Sequence, residues 1–195
     1  MAYLNEVDSS TLTDWLNNFD NCPNNIYDPF QDNEIDFSLE TYDILCANNL
    51  NHINIYFGLD INENPKLIAV GSYLLDEFDG EVKTGFADIL DPDKVFELYA
   101  DTTISLALAK QYTTKWNDDN RGSSLFKYSA LLPRPNFIKL FKEDQADPVR
   151  IFFGMDDNDE LKVMQKDPNG GTGTFVGNTG FFCPNDCTQQ GLLSQ

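Results

Sequence analysis

The sequence of 195 residues predicts an α+β fold with a mostly antiparallel sheet, made of two similar helix–helix–β-hairpin halves that pack together. Apolar residues recur first at helical spacing and then in alternation, and this order occurs twice along the chain. An eleven-residue segment also occurs in two similar copies. A hydrophobic content of 41% is enough for a packed core. We assign residues 1–100 to the first half and 101–195 to the second half, within one compact unit.

The first half begins with a predicted amphipathic helix over residues 9–20. Its apolar residues lie on one face from Leu12 to Phe19, and Ser9 or Ser10 can cap its start.

A second helix is predicted over 36–46, with Asp36 or Ser38 as its cap. Alternating segments at 52–60 and 66–75 then predict a β-hairpin. The pattern of 93–100 fits either a strand or a short helix, and we expect the strand. The first half therefore reads helix, loop, short helix, strand, turn, strand.

The second half repeats this order. The spacing predicts a helix over 104–116 with Ser105 as a candidate cap, and a short helix over 136–142. Strands are predicted over 147–156 and 161–166, and the Gly-rich tail that follows is expected to be irregular.

The two similar segments, here called the repeated phrase, are "NIYFGLDINEN" at 54–64 and "RIFFGMDDNDE" at 150–160. Self-similarity at an offset of 96 residues, about half the chain, indicates a duplicated unit. Both copies place a glycine inside a strand, Gly58 and Gly154, where such a residue marks a bulge or the close approach of another backbone. We therefore expect a shared structural need at these glycines.

The net charge of −19 is concentrated in the first half, which contains 20 acidic residues and only three lysines. Such a field repels phosphates and anionic lipids, so we predict neither a nucleic-acid nor a membrane partner. It attracts a basic protein surface, and the leading hypothesis is a non-enzymatic binding protein with a basic protein partner. The acids assigned to this contact are Asp14, Asp20, Asp28, Asp32, Glu34, Asp36, Glu40 and Asp43.

An alternative hypothesis is a calcium-responsive module built on the two Asp-rich turns. Both turns supply oxygen ligands at the first, third and fifth positions, as an EF-hand loop does, but lack its glycine and its final glutamate. Asp and Asn are also the residues that tight turns between strands use. The candidate ligands are Asp60, Asn62, Asn64, Asp156, Asn158 and Glu160.

Nothing in the sequence predicts a catalytic group or a cofactor. The only histidine is His52, which we expect at the surface or at a sheet edge, and no G-x-S-x-G motif occurs. An enzyme of unrecognised type is the third alternative. The "CPNDC" segment gives Cys183 and Cys187 a spacing that permits a disulfide in a turn, whereas isolated Cys22 and Cys46 do not complete a zinc motif.

No apolar run reaches the ~20 residues that span a bilayer, and the first residues lack the features of a secretory leader. We therefore predict a cytoplasmic protein and leave export without a leader open.

The segments "ISLALAKQYTTKW", "VRIFFGMDDNDELKV" and "CPNDC" together resemble a group of small, acidic, uncharacterised proteins common in Bacteroidota-type bacteria. The resemblance covers about 104–187, and 9–76 looks like a second, diverged copy without the cysteine pair. It implies no activity, cofactor or site residue, and it favours a bacterial protein that works through contacts.

Overall fold

The computed structural model describes residues 6–31, 35–47, 50, 52–74, 86–88, 91, 94–170 and 173–176. The helices in chain order are α1 (Ser9–Asn21), α2 (Asp28–Gln31), α3 (Leu39–Leu45), α4 (Leu106–Asn120) and α5 (Arg134–Phe137), and a π-helical segment (Ile138–Glu143) follows α5 directly. The strands are β1 (Glu6–Val7), β2 (Ile35–Phe37), β3 (His52–Leu59), β4 (Pro65–Leu74), β5 (Phe86–Asp88), β6 (Phe96–Glu97), β7 (Thr102–Thr103), β8 (Ser129–Pro133), β9 (Val149–Met155), β10 (Leu161–Lys166) and β11 (Thr174–Val176).

The strands form two sheets. Sheet 1 has the order β1-β11-β10-β9-β2, and sheet 2 has the order β7-β6-β4-β3-β8, with β5 paired to β4. All strand pairs in the described part of the chain are antiparallel. The prediction of an α+β protein with mostly antiparallel sheet is therefore confirmed.

Each sheet combines strands from both sides of residue 100. Sheet 1 places β1 and β2 beside β9, β10 and β11, and sheet 2 places β7 and β8 beside β3, β4 and β6. The helices cross over in the same way, because α1 packs on β9 and α4 packs on β3. The central hairpin of each sheet is therefore bordered on one side by a strand, and covered by a helix, from the other part of the chain.

A shared hydrophobic cluster joins the two sheets. Phe57 of β3 and Phe153 of β9 have ring centroids 5.9 Å apart. Phe19 from α1 and Trp116 from α4 are both buried in the same cluster. Burial of these large rings removes much apolar area from water, which is the main favourable term in folding.

The two strand glycines lie where a helix crosses a strand closely, as predicted. A Cβ atom on Gly58 would lie 2.9 Å from the Tyr112 Cβ of α4, and one on Gly154 would lie 3.1 Å from the Trp15 Cβ of α1. Two cation–π contacts accompany these crossings, with Lys66 5.9 Å from the Tyr112 ring centroid and Lys162 5.8 Å from that of Trp15.

Local expectations have mixed outcomes. Ser38 and Ser105 cap α3 and α4, as predicted, but the cap of α1 is Asp8 rather than Ser9 or Ser10. The Asp8 carboxylate accepts hydrogen bonds from two main-chain N–H groups of the first turn, which a serine hydroxyl does less well.

Three expectations are wrong in part. Residue 36 lies in β2, so the helix predicted over 36–46 is confined to α3. The strand expected over 93–100 is limited to β6, because residues 98–101 form a turn. The Gly-rich tail is not irregular throughout, since β11 pairs with both β10 and β1.

The expectation for His52 is also wrong. It begins the central strand β3, between β4 and β8, and only 7% of its surface is exposed. No helix in the described part of the chain is long and apolar enough to cross a membrane.

Candidate functional site

The acids predicted to contact a partner lie on several elements. All six that the structure describes are exposed: Asp14 and Asp20 on α1, Asp28 on α2, Asp36 on β2, and Glu40 and Asp43 on α3. Asp32 and Glu34 lie outside the described residues, as do Cys183 and Cys187. Of these six, Glu40 and Asp43 line a common depression.

This depression, here called the α3 groove, has a volume of ≈ 710 Å³. Partly buried Leu39 and Ile44 supply apolar surface, and Glu40 and Asp43 on α3 and Asp147 from a loop before β9 supply exposed carboxylates. The lining residues are Leu39, Glu40, Asp43, Ile44, Ala47, Lys94 and Asp147. The groove therefore combines an apolar surface with acidic groups from two separate parts of the chain.

The sequence of α3 explains why these side chains face outward. Ser38 Oγ accepts a hydrogen bond from the Thr41 main-chain N–H at 3.1 Å and so begins the helix. Tyr42 and Leu45, three residues apart, are buried on the opposite face. The Tyr42 ring packs at a tilt against that of Phe137, with ring centroids 5.6 Å apart, and this contact holds α3 against α5.

The charges around the α3 groove are partly balanced by the protein itself. Lys142 Nζ lies 3.2 Å from Asp43 Oδ1, with both side chains about half exposed. Lys94 Nζ lies 3.0 Å from Asp91 Oδ2. Ion pairs this exposed contribute little to stability. Glu40 makes no ion pair or side-chain hydrogen bond with any residue that the structure describes.

Asp36 already has a basic partner within the chain. Arg150 Nε lies 2.9 Å from Asp36 Oδ1, and Arg150 Nη2 lies 3.2 Å from Asp36 Oδ2. This two-pronged pair crosses from β2 to β9, where the two residues face each other in register. Asp36 therefore joins the strands of sheet 1.

The two Asp-rich turns share one geometry. Asp60 Oδ1 accepts hydrogen bonds from the main-chain N–H groups of Asn62 and Asn64 at 2.8 and 2.9 Å. A further bond from the Asn64 side chain is the largest of the effects that lower the pKa of Asp60 below its usual value. The Asp60 carboxylate therefore stabilises the conformation of the turn to which it belongs.

The second turn repeats the pattern at Asp156. Its Oδ1 accepts from the N–H groups of Asn158 and Glu160 at 2.9 and 3.0 Å, and Lys162 Nζ lies 2.8 Å from its Oδ2. Partial burial opposes ionisation of Asp156, but Lys162 and the two N–H donors outweigh it and lower the pKa. These contacts explain the recurring Asp and Asn without a ligand.

Within the described ranges, no group of three or more His, Cys, Asp or Glu side chains is placed to hold a metal ion. The calcium hypothesis stays a prediction. Comparisons with family models, with curated proteins and with solved structures found no match.

The burial of His52 makes the stability of the folded protein depend on pH. Burial lowers the pKa of His52 below its ordinary value of 6.5, and its Nδ1 atom has no hydrogen-bond partner among the described residues. The unfolded chain therefore takes up a proton at a higher pH than the folded protein does.

Acidification from pH 7.5 to 5.5 is expected to destabilise the protein, by up to about 1.4 kcal/mol per pH unit below the unfolded pKa. Neutral His52 contributes to the free energy of unfolding, and this contribution is fully present above pH 6.5, the pKa of the unfolded chain. It is lost as the pH falls towards the lower pKa of the folded protein. Asp60 and Asp156, with pKa values below 3.8, lose theirs only in more acidic solution. Urea unfolding at several pH values measures the slope.

His52→Gln is the matched control, because the chain has no other histidine. Its free energy of unfolding is expected to be nearly constant over this pH range, whatever its absolute stability. The same slope in both proteins would show that another group is responsible.

Proposed function

We propose that this chain is a non-enzymatic binding protein, and that the α3 groove accepts a basic segment of a protein partner. The observation that carries the proposal is the pairing of apolar Leu39 and Ile44 with the carboxylates of Glu40, Asp43 and Asp147 around a volume of ≈ 710 Å³. The aliphatic stem and the charged end of a basic side chain would each meet a matching part of this surface.

The chemistry of the match is that of an amphipathic cation. Lysine and arginine carry an aliphatic stem that packs on apolar surface while the charged end stays near water and carboxylates. The stem would lie on Leu39 and Ile44, and the cation would reach Glu40 or Asp43. An amphipathic helix rich in lysine presents several such side chains on one face, as peptides that bind in grooves do.

The present partner of Asp43 does not block the site. The Lys142–Asp43 pair is about half exposed on both sides, so a cation of the partner can replace Lys142 at little cost. The net charge of −19 would accelerate the encounter with any basic protein and make its rate sensitive to salt.

We also propose that the chain is a duplication of one helix–helix–hairpin unit. Support comes from the repeated phrase, from the two glycines beneath helices, and from the matching contacts of Lys66 with Tyr112 and of Lys162 with Trp15. Membership of the Bacteroidota-type group and a cytoplasmic location stay predictions.

A synthetic 18-residue amphipathic helix of leucine and lysine serves as the probe of the α3 groove. The Glu40→Lys/Asp43→Lys double variant is expected to bind it at least about tenfold more weakly, which corresponds to about 1.4 kcal/mol, because both carboxylates are lost and cations replace them. Fluorescence anisotropy at 0.05 and 0.5 M salt measures the affinity, which should fall with salt.

The matched control is Asp14→Lys/Asp28→Lys, which changes the net charge equally at two exposed acids outside the groove. We expect a decrease of no more than about threefold, the size of a general charge effect screened by salt. Equal losses in the two double variants would show that net charge alone attracts the peptide. An affinity that does not change with salt would refute the electrostatic account altogether.

A further inference from the structure

A third turn, over residues 167–170 after β10, is built like the two Asp-rich turns. Asp167 Oδ1 accepts a hydrogen bond from the Asn169 main-chain N–H at 2.8 Å, as the first aspartate of each Asp-rich turn accepts one from the asparagine two residues later. Each of the three turns also has a main-chain hydrogen bond from the residue after the asparagine to the carbonyl of that aspartate. The three turns therefore hold an asparagine and its following residue by the same pair of hydrogen bonds.

The residue after the asparagine distinguishes the third turn from the other two. It is Glu63 in the first turn and Asp159 in the second, with φ angles of 66° and 60°, and it is Gly170 in the third, with φ of 84°. Asn169 is the only asparagine in the sequence that a glycine follows. Because glycine has no Cβ atom, its main-chain nitrogen is less hindered than that of the other two residues.

Asn169 and Gly170 are both exposed to water. A Cβ atom on Gly170 would meet nothing within 4 Å, and the Asn169 carboxamide makes no hydrogen bond with any residue that the structure describes. The Gly170 N–H donates to the Asp167 carbonyl at 3.3 Å, whereas the equivalent bonds of the other two turns are 3.0 Å long. The Gly170 nitrogen is therefore the least restrained and the least hindered of the three.

We propose that Asn169 is a site of modification without an enzyme, where the asparagine is converted to aspartate and isoaspartate. The Gly170 main-chain nitrogen gives up its proton to the solvent and forms a bond to Cγ of Asn169. The bond from Cγ to the side-chain nitrogen breaks, and this nitrogen takes up a proton and leaves as ammonia. The reaction is favoured because the two reacting groups are adjacent in the same chain.

The cyclic succinimide that results is then opened by water. Addition of water to one of its carbonyl groups gives aspartate, and addition to the other gives isoaspartate, whose main chain runs through Cβ and Cγ. The net reaction exchanges one ammonia for one water, so it requires neither an oxidant nor a reductant.

The modification changes the connection between two strands of sheet 1. Both products place a new carboxylate two residues from Asp167. In isoaspartate the main chain between β10 and β11 is also longer by one carbon atom, and β11 is the strand that pairs with both β10 and β1.

Incubation of the full chain at 37 °C, at pH 6 and pH 8, tests this site. Trypsin then releases a peptide that begins at Asp167, because no lysine or arginine follows Lys166. Mass spectrometry locates the exchange of NH₂ for OH, and electron-transfer fragmentation distinguishes isoaspartate from aspartate. Asn169 is expected to convert at least about tenfold faster than Asn62 and Asn158 in the same sample, and faster at pH 8, because the attacking nitrogen must lose its proton.

Exchanging residues between two of the turns provides the matched variants. Gly170→Asp, which copies Asp159, is expected to slow conversion of Asn169 at least about tenfold, because a side chain now hinders the attacking nitrogen. Asp159→Gly is expected to accelerate conversion of Asn158 by a similar factor. Both positions are exposed and have positive φ angles, which aspartate and glycine adopt.

Three results would overturn the proposal. The first is conversion of Asn169 no faster than that of Asn62 and Asn158 in the wild-type protein. The second is a Gly170→Asp variant in which Asn169 converts as fast as in the wild type, and the third is an Asp159→Gly variant in which the rate at Asn158 does not rise.

Discussion

Replacing Trp116 with alanine is expected to lower the free energy of unfolding by about 3–5 kcal/mol, the range typical of buried aromatic truncations. Trp116 is 1% exposed, and its ring centroid lies 5.3 Å from that of Phe30 and 5.7 Å from that of Phe57. Its Nε1–H donates to the carbonyl of Lys127 at 3.0 Å. The variant loses the ring contacts and leaves a cavity between α4 and the two sheets.

Trp15→Ala is the matched control, because Trp15 is only partly buried where α1 crosses Gly154 of β9. Its loss is expected to be less than half as large, since less apolar area returns to water. Urea unfolding followed by far-ultraviolet circular dichroism compares the two, because removing a tryptophan alters the fluorescence signal. Equal losses would contradict the assignment of Trp116 to the shared core.

Gly58→Ala is expected to destabilise the protein by about 1–3 kcal/mol, as overpacking in a well-filled interior does. The added Cβ would lie 2.9 Å from the Cβ and 3.2 Å from the carbonyl carbon of Tyr112. Both atoms belong to or directly adjoin the α4 backbone, so no rotamer change relieves the contact and the helix must move. Thermal and urea unfolding measure the loss.

Two other glycines calibrate this result. Gly154→Ala is expected to cost less, because its closest contact, at 2.7 Å, is the flexible end of Met164. Gly122→Ala meets nothing within 4 Å and should change stability by less than about 0.5 kcal/mol or raise it slightly. If Gly58→Ala behaved like Gly122→Ala, the close packing of α4 on β3 would be refuted.

The helices and the long hairpins could be predicted because their signals are local. The apolar spacing of α1 and α4 and the alternation in β3 and β9 are present within each segment. The pairing of strands from the two parts of the chain within each sheet could not be predicted. β1 and β7 have two residues each, too few for a period, and the partner of β1 is β11, near the other end of the described chain.

His52 illustrates the same limit. A histidine at the start of a predicted strand is usually solvated, and its burial follows from β8, which pairs with β3 from a distance of about 80 residues along the chain. The positions of Gly58 and Gly154, by contrast, were informative, because a glycine in each copy of a repeated strand indicates close packing before the packing element is known.

Half of the α3 groove could be predicted. Glu40 and Asp43 belong to the acidic first half, and their spacing places them on one helix face. Lys94 and Asp147 could not be assigned to the same site, because only the folded chain brings them beside Leu39. Asp36, which looked equivalent to Glu40 from the sequence, instead pairs with Arg150 within sheet 1.

An NMR titration of the ¹⁵N-labelled full chain with the leucine–lysine peptide tests the account most directly. If the α3 groove is the binding site, the largest shift changes will occur at Glu40, Asp43, Ile44 and Asp147, and the resonances of Asp14 and Asp28 will move little. Changes spread evenly over the exposed acids, or larger at α1 and α2 than at α3, would contradict a site in the groove and leave only a diffuse attraction by net charge.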